Sequence, residues 1–500
     1  MQQVVFQKPP LIERLLGQVQ FKSIVLLAAG IGIALGNILL YGSWTQAVMV
    51  AMVPFLVYAL MTNTMSVFLV WVASAPILSH FIRINLGAGI PDITINRVAV
   101  SALMLVLLFQ IAVKTRHLQK LQFIDWMMIA ITIIIMPTIF RGDDPIQAGQ
   151  LVFDHLLTPF IVFFLAKNLI TTKDGIRSLV WTFGIVTVYC ALLGFQEHFT
   201  ERSFFTATGE LNWKQEGLAD RVQGPFDTPQ ILGSVMVGGI VFFFYLLFNS
   251  KNLRMRIFSA AILFIHTMVA YWTYRRSVWM GYAVTMVFLG IVERRFRRPL
   301  ALLAVIVVLM SLAQWETITQ TTVFQERFAN ARTVNDRWVV WMTSWEMIKD
   351  YPLLGTGLGN FGVYYTKYFT FRGNTVSTDF AHDITSTHNS YIRLWVEGGP
   401  GLALLYFGIL FLFIKRMWLL LSDRVTGHIA GKMEVMVCVG IFLTQYVQAL
   451  TTDMVFNAQY SSILIFLLGG VLFQKAPGER RTRTIKPAAV AGSAGLRPPP

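Results

Sequence analysis

The chain has 500 residues, of which 55% are apolar and only 13% charged, with a mean hydropathy of +0.59. Soluble domains carry about 25% charged residues, so this composition excludes a water-soluble globule and makes a lipid bilayer the natural solvent. The net charge of +15 does not mark a nucleic-acid binder, because the basic residues lie in short loops between apolar runs and form no stripe with base-reading or aromatic elements.

Runs long enough to cross a bilayer, about 20 residues each, fall at 24–41, 44–61, 65–82, 96–113, 123–140, 149–166, 178–197 and 230–248. Further runs fall at 257–274, 277–292, 299–314, 391–414, 433–450 and 459–474. The expected fold is all-α: a polytopic α-helical membrane protein with 12–14 transmembrane helices and a large outer loop containing short helices. Residues 1–23 hold Lys8, Arg14 and Lys22 and no small-residue cleavage site, which predicts an uncleaved first span. Residues 24–314 then form transmembrane helices with an outer loop at 198–229, and 315–390 form the large outer loop. Residues 391–474 form the C-terminal transmembrane helices, and 475–500 a disordered basic tail. Lys and Arg concentrate in alternate loops, 26 of 41 on the side of both termini, while Asp92, Asp143, Asp144, Asp220, Glu316, Asp336 and Asp379 face the other way. The positive-inside rule therefore makes both termini cytoplasmic, and the inner basic face is suited to anionic lipid. Cys190 and Cys438 lie in apolar runs and indicate neither a disulfide nor a metal site.

Chemistry-bearing residues gather on the outer side. Around Arg337, apolar residues recur at Trp338, Trp341, Met342, Trp345 and Ile348, which predicts an amphipathic helix with Asp336 as N-cap and Pro352 past its end. A cation in a first helical turn is mismatched with the dipole unless an anion visits; the bland alternative is a salt bridge to Asp336 or Glu346. Gly355-Thr356-Gly357-Leu358-Gly359 follows a helix instead of a strand and predicts a tight turn, not a dinucleotide fingerprint. His388 stands just before an apolar helix starting near Ser390, and with His382 it has no further ligand at a recognised metal spacing. Arg275 and Arg276 separate two spans with almost no loop, where they either snorkel to lipid phosphates or serve a site. Arginine forks suit diphosphate, and an imidazole suits proton transfer near neutral pH. Aromatic residues at Trp338, Trp341, Trp345, Tyr364, Tyr365, Tyr368 and Phe369 either pack the loop or stack on sugars.

A rival reading is a secondary transporter of a small anion such as bicarbonate. It would rest on Asp154 and His155 in the sixth span, kinked by Pro159. A structural scaffold would leave the long polar outer segment unexplained.

Four segments make the chain resemble the O-antigen ligase and O-antigen polymerase superfamily of integral-membrane glycosyltransferases. They are Thr273-Tyr274-Arg275-Arg276-Ser277-Val278-Trp279; Asp336-Arg337-Trp338 through Asn360-Phe361; His388-Asn389-Ser390-Tyr391 through a compact Glu397-to-Gly401 hairpin; and Arg221 to Pro229. Arg275 replaces the family's usual small residue, and Ser277 stands where glycine is common. The resemblance implies a bacterial inner-membrane, metal-independent and inverting enzyme with its site at the periplasmic face and no cofactor. It would move a glycan from undecaprenyl diphosphate to an acceptor hydroxyl, on another glycan or on lipid A core, with polysaccharide-assembly proteins as further partners. It further implies catalytic roles for His388, Arg337 and Arg276, and substrate binding by Arg275, Arg221 and Asn389.

Overall fold

The structure is a computed structural model, which describes residues 58–81, 83–84, 93–141, 144–201, 221–313, 315–320, 332–369, 386–422, 424–426, 428–457, 459–474 and 480–481. The expected spans at 24–41 and 44–61, the tail, and His382 lie wholly or largely outside those residues. The described chain is helical apart from two short antiparallel ladders, Arg83–Ile84 with Ile93–Thr94 and Val425–Thr426 with Arg480–Arg481. In order, the helices are α1 Thr64–Phe81, α2 Ile95–Ala112, α3 Phe123–Arg141, α4 Pro145–Leu169, α5 Lys173–Thr200, α6 Pro229–Asn249, α7 Leu253–Trp272 and α8 Arg276–Val292. They continue with α9 Arg297–Ala313, α10 Trp315–Gln320, α11 Arg332–Asp350, α12 Phe361–Tyr368, α13 Ser390–Leu421, α14 Lys432–Ala449, α15 Met454–Asn457 and α16 Gln459–Leu472.

Among the described residues seven helices, α2 to α7 and α13, are long and apolar enough to cross a membrane, and three apolar helices are shorter. The protein is thus an all-α polytopic membrane protein. Residues 1–71 with 101–117 form one compact unit, and 72–100 with 118–500 the other. In the first, Gln110 Nε2 donates to Thr64 Oγ1 at 2.7 Å. In the second, α6 is the central helix: it packs on α5, α7, α8 and α14, and its residues from Pro229 to Phe244 are all buried. A helix apolar all round belongs in such a place. Helix α4 packs on α16, α13 on α3, and the loop helix α11 on both α12 and α13.

The Glu397-to-Gly401 segment is not a hairpin but a kink inside α13, where Gly399 adopts φ 72° and ψ 177°. Pro400 has no N–H and so leaves a helical carbonyl unpaired. The glycine turn before α12 supplies replacement donors: Thr356 N–H reaches Val396 O at 2.8 Å, and Gly357 N–H reaches Glu397 O at 3.0 Å. Glu397 Oε1 then accepts from Phe361 N–H at the start of α12, at 3.1 Å. The loop is thereby locked to the bend of a membrane helix. A Cβ on Gly399 would stand 2.2 Å from Leu353 O, whereas one on Gly401 meets nothing nearer than Ile134 at 3.9 Å. The glycine-only backbone alone costs other residues about 1–3 kcal/mol. Gly399→Ala should therefore lose at least about 3 kcal/mol in tryptophan-monitored unfolding, and Gly401→Ala should lose none. Equal losses would contradict the lock.

Candidate functional site

Two tight connections and one loop helix build the site. The first connection joins α7 to α8 through Tyr274, whose φ of 45° is left-handed, a conformation that bulky residues rarely adopt. Around it, Thr273 Oγ1 donates to Ala270 O at 2.7 Å, and the Tyr271 and Trp279 rings stack at 5.5 Å. Arg275 caps α8 and Arg276 opens it. Two guanidiniums are thus held at the positive end of a helix dipole, an arrangement that a visiting anion would relieve.

The second connection is the turn before α13. His388 is also left-handed, with φ 51°. Its N–H donates to Ser386 Oγ at 3.2 Å, and Ser386 Oγ reaches Asp453 Oδ2 at 3.4 Å. Asn389 is the N-cap of α13: its Oδ1 accepts from Tyr391 and Ile392 N–H at 2.9 and 3.1 Å, while its Nδ2 donates to Leu450 O at 3.1 Å. These bonds fix Asn389 at the start of α13. Strained residues persist only where their surroundings over-determine them, and they cluster at functional sites. Here both are neighbours of, or are, the residues singled out from sequence.

Helix α11 brings in Arg337. It begins at Arg332, a turn before the expected start, so Asp336 is not the N-cap and Arg337 sits in the second turn. The extra turn precedes the apolar periodicity, which is why the pattern missed it. Trp341, one turn beyond Arg337 on the same face, donates its indole N–H to Thr387 O at 3.1 Å. That bond sets Arg337 beside His388. Glu346, one of the bland ion-pair partners, is taken by Lys349 at 2.9 Å.

The electrostatics record the convergence. Burial, and then the Arg337 guanidinium, push Arg275 down to about 10, so it stays cationic at neutral pH. Arg337 is itself lowered by burial and by Arg276. Burial lowers His388 below the usual imidazole value; Arg337 and Arg275 lower it further, against an opposing pull from Asp453. Residues 275, 276, 337 and 388 thus share one electrostatic neighbourhood. Arg221, also buried, lies on the loop whose Val222 N–H donates to Trp272 O at 3.2 Å, just before the Arg275 turn. Its Nε has no hydrogen-bond partner among the described residues. Glu197 Oε2 fixes that loop by accepting from Gln223 and Gly224 N–H at 3.2 and 2.6 Å.

Asp453 was not singled out from sequence. Lying alone between two apolar runs, it acts electrostatically on His388 and is bound to the buried Arg393, which also pairs with Glu397 at 3.1 Å. Asp453→Ala should cost about 3–5 kcal/mol in thermal unfolding, because it leaves a buried guanidinium with Glu397 alone. A loss below about 1 kcal/mol would show the pair to be dispensable. Asp154, the transporter candidate, is held by a two-pronged pair with Arg97, Nε–Oδ1 2.7 Å and Nη2–Oδ2 2.5 Å, so its charge is already matched.

Residues 260–407 match the family described as O-antigen ligase. The matched stretch starts in α7 and ends in α13, and it contains Arg275, Arg276, Arg337, His388, Asn389 and the kink, whereas Arg221 and Asp453 lie outside it. No curated protein gives a significant match.

Proposed function

We propose, from the premise that residues 260–407 form an O-antigen ligase-family segment of a polytopic membrane protein, that the chain is a metal-independent, inverting glycosyltransferase. It moves a glycan from undecaprenyl diphosphate to an acceptor hydroxyl at the periplasmic face of the inner membrane. The observation that supports this reading is the crowding of Arg275, Arg276 and Arg337 around His388, a cluster of like charge suited to receive an anion. The donor diphosphate lies against Arg276 and Arg337, helped by Arg275 and Arg221. His388, kept neutral by burial and neighbouring cations, takes the proton of the acceptor hydroxyl as its oxygen attacks the anomeric carbon. The bond from that carbon to the diphosphate breaks, undecaprenyl diphosphate leaves with the electron pair, and the guanidiniums stabilise the charge it gains. A single displacement inverts the anomeric centre. Fixed guanidiniums would take the part that a divalent cation has in many phosphate enzymes. Transfer from a lipid-linked repeat by purified protein should therefore be unchanged by EDTA. Loss of transfer with EDTA, restored by Mg²⁺ or Mn²⁺, would overturn the assignment.

A further inference from the structure

Against the loop that carries Arg221 lies a cavity of about 350 Å³, within the roughly 300–1,000 Å³ of small-molecule sites and large enough for about ten waters. Its walls are the rings of Phe226, Phe456 and Tyr460, with Phe226 and Tyr460 centroids 5.2 Å apart, and the polar groups of Asn96, His155, Asp227 and Gln459. Flat apolar faces alternating with hydrogen-bonding groups are wrong for hydrocarbon and right for a sugar ring, which has C–H faces and an equatorial belt of hydroxyls.

Three features show that this space is built. Residues Phe153–Leu157 of α4 form a π-turn, a local distortion common at functional sites, and it carries His155 into the wall. The bidentate pair of Arg97 with the adjacent Asp154 braces that turn. His155 Nδ1 is buried with no hydrogen-bond partner among the described residues, so the wall holds an unmet polar group.

The cavity is linked to the proposed catalytic residues through a series of contacting and paired side chains. Phe456 lines it, the Arg393 guanidinium lies 4.9 Å from that ring, Arg393 pairs with Asp453, and Asp453 acts electrostatically on His388. Asp227 stands exposed on the same loop as Arg221. We propose that this cavity is the acceptor-sugar pocket: a sugar packs against Phe226, Phe456 and Tyr460, and its hydroxyls bond His155, Asp227 and Gln459. This inference rests on the glycosyltransferase reading and names the part of the substrate that the arginines do not hold.

The test uses full-length protein in lipid nanodiscs, free of sugar-based detergent. Methyl glycosides of glucose, galactose, mannose, N-acetylglucosamine and glucuronic acid are titrated by ligand-observed saturation-transfer NMR, and farnesyl diphosphate is titrated in the same samples. At least one glycoside should bind wild type and Arg337→Ala alike. Its affinity should fall about tenfold or more in Ile463→Trp, which fills the cavity from a further wall residue, Ile463, and about fivefold in Gln459→Leu. Farnesyl diphosphate should still bind Ile463→Trp, which also reports that this variant is folded, and should bind Arg337→Ala poorly. Absence of glycoside binding to wild type, or binding undiminished in Ile463→Trp, would overturn the pocket. If Ile463→Trp loses both ligands, the milder Gln459→Leu decides, and unchanged glycoside affinity there is equally fatal. If glycosides bind wild type while farnesyl diphosphate does not, the pocket stands and the diphosphate reading falls.

Discussion

Arg337→Ala is expected to lower transfer from a lipid-linked donor by about 10²–10³-fold, with most of the loss in kcat. Removing a single preorganised donor from a developing anion has about this effect, and Arg337 interacts electrostatically with Arg275, Arg276 and His388. The loss should not reflect unfolding: α11 is held by Trp341 to Thr387 and by its core residues Val340 and Met347, none of which the substitution touches. Arg337→Lys should fall between, because it keeps the charge but loses the planar fork that matches a diphosphate. Rates are measured on purified protein with a defined lipid-linked repeat, alongside thermal unfolding. Full activity in Arg337→Ala would remove the main support for the proposed chemistry.

The companion expectation is a loss of about 10²–10⁴-fold in kcat for His388→Ala, the range for a positioned general base, with farnesyl diphosphate binding retained. A pH profile distinguishes a base from a merely structural residue. The competent form is neutral imidazole, and burial with Arg337 and Arg275 lowers His388 from the ordinary 6.5. In the free enzyme, therefore, kcat/KM should be flat through neutral pH and fall on acidification only below pH 6.5. Once the donor is bound, the anionic diphosphate favours imidazolium, so the acid limb of kcat should lie at higher pH than that of kcat/KM. A wild-type limb that persists unaltered in His388→Gln would assign the titration elsewhere.

Much of the architecture is legible in hydropathy alone, because a bilayer demands long apolar runs and hydrogen-bonded backbone within each. The runs from 65–82 to 459–474 each coincide with a described helix, and the start of α13 follows from His388 and Ser390. Contacts between distant segments were not legible. Glu397 to Gly401 reads as a hairpin, and nothing in the sequence says that it is a helix kink for which Thr356 and Gly357, some 40 residues earlier, supply the donors to the carbonyls of Val396 and Glu397. The π-turn at Phe153–Leu157 has no periodic signature, so the sequence offers His155 only as half of a transporter pair in a span kinked at Pro159 and gives no sign of the cavity that it lines. Asp336 resembled a cap because it precedes the apolar repeat; the helix starts earlier, on residues that carry no such pattern. The chemistry and order of Arg275, Arg276, Arg337 and His388 single them out in the sequence, whereas the left-handed backbone at Tyr274 and His388 beside them has no sequence signal.

The most direct test is a structure of the full-length chain bound to undecaprenyl diphosphate in a nanodisc. The proposed chemistry requires the diphosphate within hydrogen-bond distance of the Arg337 and Arg276 guanidiniums, on the side of the Arg275–Arg276 turn that faces His388. A diphosphate seated elsewhere, with Arg337 and His388 untouched, would contradict it.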